Sequence, residues 1–230
     1  YFGVESLSAA AGVMVTASHN PGQYNGFKIC REHAIPIGED TGLREIEGRL
    51  ESRAAAPVAA KRGGVTTHDL ATGYARHAMA VGAQCPALKV AIDCGNGRAS
   101  AGLGPILEAL PIDVVPLYFE PDGRFPNHEA DPLKVENLSD VSAAVLREGA
   151  AFGVAFDGDG DRAVFVDERG EAISADLTTA LIARHLLARN PGGLVLYDLR
   201  SSRVVAEEVE RCGGRARMCR VGHSFVKAQM

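Results

Sequence analysis

An α/β fold is what the sequence predicts, and three observations predict it. Short apolar runs rich in Val and Ile alternate with stretches whose apolar residues recur at three and four positions, the periods of strand and helix. Nearly every run empties into a polar loop of Gly, Asp, Asn or Ser. The 230 residues suffice for one large core or two to three small ones. Lys and Arg number 24 against 29 Asp and Glu, and a net charge of −5 argues against nucleic acid as partner. The five cysteines (Cys30, Cys85, Cys94, Cys212, Cys219) are odd in number and form no Cys-x-x-Cys pair, which suits a reducing, cytoplasmic setting. No apolar run is long enough to span a membrane, so none is expected as a partner.

Ala11 to Thr16 reads as a strand that feeds Ala17-Ser18-His19-Asn20-Pro21-Gly22, a loop punctuated by Asn-Pro and Pro-Gly. A hydroxyl just past a strand end, as at Ser18, can serve as a nucleophile or simply form a turn. Tyr24-Asn25-Gly26 predicts a hairpin-type turn, and Gly26 to Cys30 the returning strand, bringing Lys28 near Ser18. Leu43, Ile46 and Leu50 predict a helix over 41–53, and Pro57 with Gly63-Gly64 predicts a linker over 54–64. The first domain is therefore assigned to 1–64.

The second domain, 65–171, begins with a helix over 66–81, where Leu70, Tyr74 and Ala78 share a face. A βαβ unit follows: strand 88–93, the turn Cys94-Gly95-Asn96-Gly97, helix 98–110 and strand 113–119. Gly95 and Gly97, with Glu120 further on, invite a nucleotide reading, but the third glycine of that fingerprint is Ser100. His128, Glu129 and Asp131 could ligate a metal, but their spacing matches no known site, and the polar stretch 120–133 that holds them reads as a solvated lid. A helix over 137–147 is expected to be capped by Asn137 or Ser139.

Asp157-Gly158-Asp159-Gly160-Asp161-Arg162 lies between two strand-like runs, 151–156 and 163–166. Three carboxylates in so short a turn repel one another unless a cation sits among them, and hard oxygen donors suit Mg²⁺ or Ca²⁺. At least one of the acids should have a raised pKa without the cation. The glycines let the backbone aim alternate carboxylates at one point. An EF-hand would fit Asp157, Asp159, Asp161 and Glu168, but it requires Gly where Arg162 stands, and helices where strands are read.

The third domain, 172–230, repeats the theme. Asp176 is expected to cap a helix through Ala188, followed by strand 194–199, a helix capped by Ser201 and running to Arg211, and strand 216–221. Gly222-His223-Ser224 is the closing polar turn. The chain opens on Tyr1 with no initiator Met, basic leader or signal-peptide pattern, and stops at Met230 without a cap. It is expected to be a piece of a longer chain.

Thr16-Ala17-Ser18-His19-Asn20-Pro21, Tyr24-Asn25-Gly26-Phe27-Lys28 and the run from Asp157 to Arg162 together resemble the α-D-phosphohexomutases. Pro121 to Asn127 and Val221 to Ser224 are similar to that family too. The resemblance implies tandem α/β/α sandwiches with mixed sheets, here the end of domain 1, domain 2 and the start of domain 3. It implies a phosphotransferase isomerase that moves phosphate between O1 and O6 of a hexose through phosphorylated Ser18 and a hexose 1,6-bisphosphate. The partners implied are small sugar phosphates, and Mg²⁺ is held by Asp157, Asp159, Asp161 and an oxygen on Ser18. Arg162 would add a fixed charge at the reacting phosphate. His19 and Lys28 are candidates to carry the proton or stabilise charge, and the sequence does not rank them. Asn20, Arg200 and His223 would contact substrate. The serine loop looks more like the mannose and glucose mutases than the glucosamine branch, and the sugar-reading segment would lie outside this chain. The fragment alone is expected to be inactive. The rival reading is a non-catalytic Ca²⁺- or nucleotide-binding module.

Overall fold

The structure, a computed structural model, describes residues 1–53, 60–82 and 85–230, with only the backbone for Val81, His223 and Ser224. Most of the expected linker, residues 54–59, lies outside the described residues.

The N-terminal segment comprises helix α1 (Phe2–Ser6), strands β1 (Ala11–Val15) and β2 (Phe27–Arg31), and helix α2 (Leu43–Glu51). The strands form an antiparallel hairpin in register from Ala11 opposite Arg31 to Val15 opposite Phe27. Thr16 N donates to Gly26 O at 2.9 Å and closes the base of the intervening loop. The turn inside that loop falls at Pro21–Tyr24, where Tyr24 N donates to Pro21 O, and not at Tyr24–Gly26 as expected. Gly26 is required for contact instead, since a Cβ there would stand 2.8 Å from Thr16 O. The helix predicted over 41–53 is shorter, preceded by a 3₁₀ turn at Glu39–Thr41.

The middle segment holds α3 (Ala71–Val81), β3 (Leu88–Asp93), α4 (Ala99–Ala109), β4 (Ile112–Leu117), α5 (Ser139–Glu148), β5 (Phe152–Phe156), β6 (Ala163–Val166) and β7 (Ala172–Ile173). They build one mixed sheet in the order β4-β3-β5-β6-β7, parallel across the first three strands and antiparallel beyond. Alternation along the strands sends Val90, Ile92 and Val154 to a core with Leu103 and Leu107 of α4. Ala91, Ala155 and Val166 go to the opposite core, with Val141, Ala144 and Val145 of α5. Helices thus cover both faces, the α/β/α sandwich with a mixed sheet that was expected. Gly153 lets α5 sit close, because a Cβ there would stand 2.8 Å from Val141 Cγ2.

Several boundaries differ from expectation. Helix α3 starts at Ala71, not Thr66, because Asp69 Oδ1 accepts from Ala71 N at 3.0 Å and fixes the start there. Strand β4 ends at Leu117, because Tyr118 takes φ 54°, off the extended path. Neither Asn137 nor Ser139 caps α5. Asn137 Nδ2 donates to Asp131 O at 2.8 Å, a 3₁₀ turn over Val135–Leu138 leads in, and Ser139 is already helical.

The last segment holds α6 (Ala175–Arg189), β8 (Leu194–Asp198), α7 (Arg203–Arg211), β9 (Arg215–Cys219) and α8 (His223–Lys227), with β8 and β9 parallel. Val209 and Leu187 pack with Val195 and Ala216 as its core. Helix α6 is capped by Ser174, whose Oγ accepts from Leu177 N, and not by Asp176. Asp176, inside the first turn, accepts from Ser202 N at 3.0 Å. The residue ahead of α7 is Ser202, not Ser201, and it makes no side-chain cap. Among the described residues, no helix is long and apolar enough to cross a membrane.

Candidate active site

Strand β5 delivers the chain into the acidic turn at its carboxyl end, and β6 carries it back. Asp157 builds that turn itself. Its Oδ1 accepts from Asp161 N at 3.0 Å and Arg162 N at 3.1 Å, and its carbonyl accepts from Gly160 N. The two glycines have different reasons. Gly160 takes φ 73°, which disfavours any side chain. Gly158 is there for close approach, since a Cβ would stand 2.4 Å from Ser18 O.

That contact brings the serine loop onto the acidic turn. Ser18 Oγ donates to Asp157 Oδ2 at 3.1 Å, and His19 Nδ1 stands 3.4 Å from the same hydroxyl. Thr16 ties the loops together: its Oγ1 accepts from Ser18 N and donates to Asp159 Oδ2, both at 2.9 Å. Ser18 itself sits at φ 55°, a conformation costly for a non-glycine residue. Lys28, returning on β2, forks between Asp159 Oδ2 at 2.6 Å and Asp161 Oδ2 at 2.5 Å. Arg162 Nε lies 3.9 Å from Asp157 Oδ2. Sequence reasoning brought Ser18, His19, Lys28, Arg162 and the three acids to one place, and the structure does the same.

The electrostatics follow from burial. Asp157 is fully buried, and Asp159's side chain is 3% exposed against 54% for Asp161. Burial pushes the Asp157 carboxyl above the usual range, against the pull of the Arg162 backbone N–H, and the charges of Asp161 and Asp159 add to the rise. One raised acid was expected, but burial outweighs mutual repulsion as its cause. For Asp159 burial acts upward too, yet the Lys28 ammonium and Thr16 hydroxyl outweigh it and hold the carboxyl below the usual range. Burial lowers Lys28, but its two carboxylate partners reverse the sign and raise it.

The three acids present oxygens within 4.8 Å of one another, the single such convergence of His, Cys, Asp or Glu among the described residues. Asp159 Oδ1 is buried with no hydrogen-bond partner, while its Oδ2 already holds two donors. An all-oxygen donor set with an orphaned buried acceptor fits a hard divalent cation.

Other candidates lie elsewhere. Asn20 lines a cleft of about 180 Å³ over Ser18, with Tyr24, Gly123, Phe125 and Gly158, but its amide donates to Ala17 O at 2.9 Å. Arg200 is folded onto Asp198, with Nη2 2.6 Å from Oδ2, on the loop after β8. The side chain of His223 lies outside the described atoms. The Gly95–Gly97 turn is filled by this chain's own backbone: a Cβ on Gly97 would stand 2.7 Å from Gly158 O, and Arg98 N donates to that oxygen at 2.9 Å. Gly97 thus serves the acidic turn, while Gly95, at φ 51°, faces His128 and Ala130. Most of the stretch expected as a solvated lid is exposed, and Glu129 pairs with Lys134 at its surface, but His128 departs from that reading: it is 13% exposed and bonds Asp93. Thr16 and Asp93 were given no role from the sequence; the hydroxyl two residues before Ser18 was the available signal for the first.

Gly158→Ala is expected to destabilise the chain by about 1–3 kcal/mol, the usual range for overpacking. The new methyl would collide with the Ser18 carbonyl, which has backbone on both sides and little room to yield. Thermal melting checks this, and an unchanged Tm would contradict the close packing of the two loops.

Three family models match the chain: phosphoglucomutase/phosphomannomutase alpha/beta/alpha domain I over residues 1–56, domain II over 73–170 and domain III over 174–230. A phosphomannomutase/phosphoglucomutase from Pseudomonas putida is 38% identical over 230 residues, all of this chain and 49% of the relative. A phosphoglucomutase from Neisseria gonorrhoeae is 39% identical with the same coverage. The chain thus spans about half the length of the curated relatives it matches. Among solved structures, a phosphoglucomutase/phosphomannomutase family protein from Burkholderia thailandensis superposes with TM-score 0.85 at 37% identity, over 95% of this chain and 47% of that one.

Proposed function

The chain belongs to the phosphoglucomutase/phosphomannomutase family, and from that premise we propose that the protein carrying it interconverts hexose 1-phosphate and hexose 6-phosphate of the mannose and glucose series. The route runs through phosphorylated Ser18 and a hexose 1,6-bisphosphate. The observation that carries this reading is the meeting of the Ser18 hydroxyl with Asp157 at 3.1 Å, beside the orphaned oxygen of Asp159. A bare binding module has no use for a hydroxyl held there in strained backbone.

Each half-reaction exchanges one P–O bond for another. A sugar hydroxyl oxygen attacks the phosphorus on Ser18, the bond to Oγ breaks, and Oγ takes up a proton. When the bisphosphate turns over in the site, Oγ attacks its other phosphate and gives the proton back. His19, 3.4 Å from Oγ, is the residue placed to exchange that proton. Lys28 is held charged between two carboxylates, so its part is to neutralise charge rather than to accept a proton. Arg162 supplies a second fixed cation. Asp157, Asp159 and Asp161 would hold Mg²⁺, which when bound neutralises phosphoryl charge and polarises phosphorus. Thr16 keeps the Ser18 loop in register with the acidic turn, the alignment that in-line transfer requires. Asn20, which lines the cleft, and Arg200 and His223 of the third segment are assigned to the substrate.

With Mg²⁺ and glucose 1,6-bisphosphate supplied, the protein carrying this sequence should convert glucose 1-phosphate and mannose 1-phosphate to the 6-phosphates in a coupled assay. Binding of both sugar phosphates with no turnover of either would favour the module instead.

A further inference from the structure

We propose that the buried Asp93–His128 pair is a strut beneath the acidic turn, and that His128 is a positioning residue for the cation site although it touches none of the three acids. The cation part of this rests on the metal reading given above, and the strut itself does not.

Asp93 ends β3 and is fully buried. Its Oδ1 accepts from Gly95 N at 2.7 Å, which shapes the turn, and its Oδ2 lies 3.0 Å from His128 Nε2. The other ring nitrogen, Nδ1, lies 2.8 Å from the carbonyl of Glu129. A carbonyl only accepts, so Nδ1 carries hydrogen, and an ionised carboxylate only accepts as well. A neutral imidazole has one N–H, so both bonds are made together only when the pair holds an additional proton.

The turn shaped by Asp93 bears directly on the acidic turn. Gly97 is packed on Gly158, and Arg98 N donates to Gly158 O at 2.9 Å. Gly158 stands between Asp157 and Asp159. Asn127 Nδ2, next to His128, donates to Asn96 Oδ1 at 2.7 Å, and Asn96 Nδ2 donates to Glu120 O at 2.8 Å. The stretch from 120 to 131 and the turn from 94 to 98 therefore form one seat for Gly158, and the Asp93–His128 pair is the fastener between them.

Each element around His128 contributes a titratable or charged group. They are Asp93 and Cys94 at the end of β3, Asp140 of α5 reached through Tyr118 OH, and Glu129 with its partner Lys134. The Tyr118 ring packs edge-on to His128 at 5.4 Å. Cys94 and Tyr118 are both pushed up to about 12, the first chiefly by burial and the second by its bond to Asp140. Neither titrates near neutrality. The bond to Asp93 raises His128 against the opposing effect of burial. A raised folded-state pKa means the strut's contribution is complete below the ordinary histidine range and is lost as pH climbs through the raised value.

The test uses the whole protein that carries this sequence, without metal, followed by NMR across the titration of His128. The amide of Arg98, donor to Gly158 O, should shift in step with the His128 ring nitrogens and stay flat in His128→Gln. Mg²⁺ affinity, measured by calorimetry over the same range, should then fall by about tenfold as His128 loses its proton, as loss of a supporting hydrogen bond to a metal site does. Carboxylate ionisation alone would move affinity the other way. If His128→Gln does not fold, the wild-type titrations decide alone. An Arg98 amide indifferent to His128 titration overturns the strut. If the amide follows His128 but no Mg²⁺ binds at any pH, the strut stands and the metal reading fails. If Mg²⁺ binds with an affinity indifferent to His128, the positioning role is overturned.

Discussion

Replacing Ser18 by Ala is expected to lower mutase turnover by at least about four orders of magnitude, the scale on which loss of a covalent nucleophile is felt. No nearby oxygen group is free to inherit the role, and His19, 3.4 Å from Oγ, is assigned to the proton. Among the groups around Ser18 Oγ, Asp157 is a buried carboxylate already bonded to two backbone N–H groups, and Lys28 is locked between two acids. The Thr16 hydroxyl is committed at both ends, to Ser18 N and Asp159. The fold should survive. The hydroxyl's contacts to Asp157 and His19 are lost, each worth about 1 kcal/mol, and Ala tolerates φ 55° no worse than Ser. The check is turnover of glucose 1-phosphate with fresh bisphosphate supplied, beside a thermal melt. Turnover near the wild-type level in a folded variant would remove Ser18 from the mechanism.

Asp157→Asn should lower Mg²⁺ affinity by about 100-fold or more, because a charged oxygen donor at the base of the site becomes neutral. The same change should raise the stability of the metal-free chain at neutral pH. Burial lifts the Asp157 pKa in the folded state above its unfolded value, so the native chain binds that proton more tightly. Stability therefore declines as pH rises from the ordinary carboxylate range through the raised value, and it stays reduced above it. Asn, uncharged throughout, escapes that decline and can still offer Oδ1 to the N–H groups of Asp161 and Arg162. Melts across this pH range, with and without Mg²⁺, read both effects. A variant that is less stable without metal, or that binds Mg²⁺ as wild type does, would contradict the assignment of Asp157 as a buried cation ligand.

Much of the site was legible because its chemistry is local. Three acids between two strands point to a cation site, whereas the serine after a strand, beside His19 and Asn20, stayed open between nucleophile and turn former until the family resemblance was read. Lys28 followed from the hairpin alone. What was hidden depends on contacts between distant segments. Gly97, Gly158 and Ser18 lie far apart in sequence, and only the fold shows that Gly97 excludes a side chain for the sake of Gly158, and Gly158 for the sake of the Ser18 carbonyl. A lone His128 in a polar stretch looks solvated until Asp93 is found beneath it. The caps failed for a different reason. Ser174 and Asp176 are near-equal candidates by residue type, and the choice fell to Ser174 because Asp176 reaches Ser202 across the segment. The helix of 66–81 was over-extended because apolar spacing does not register an Asp whose side chain stops the helix from behind.

The central claim is that Ser18 carries a transferable phosphoryl group beside a cation held by Asp157, Asp159 and Asp161. Incubating the protein with glucose 1,6-bisphosphate and Mg²⁺, then measuring intact mass and mapping the modified peptide, tests it most directly. The predicted result is one phosphate, on Ser18, acquired only with Mg²⁺ present and discharged on addition of glucose 1-phosphate with formation of the bisphosphate. A phosphate mapped to another residue, or one on Ser18 that sugar phosphates fail to discharge, would contradict it.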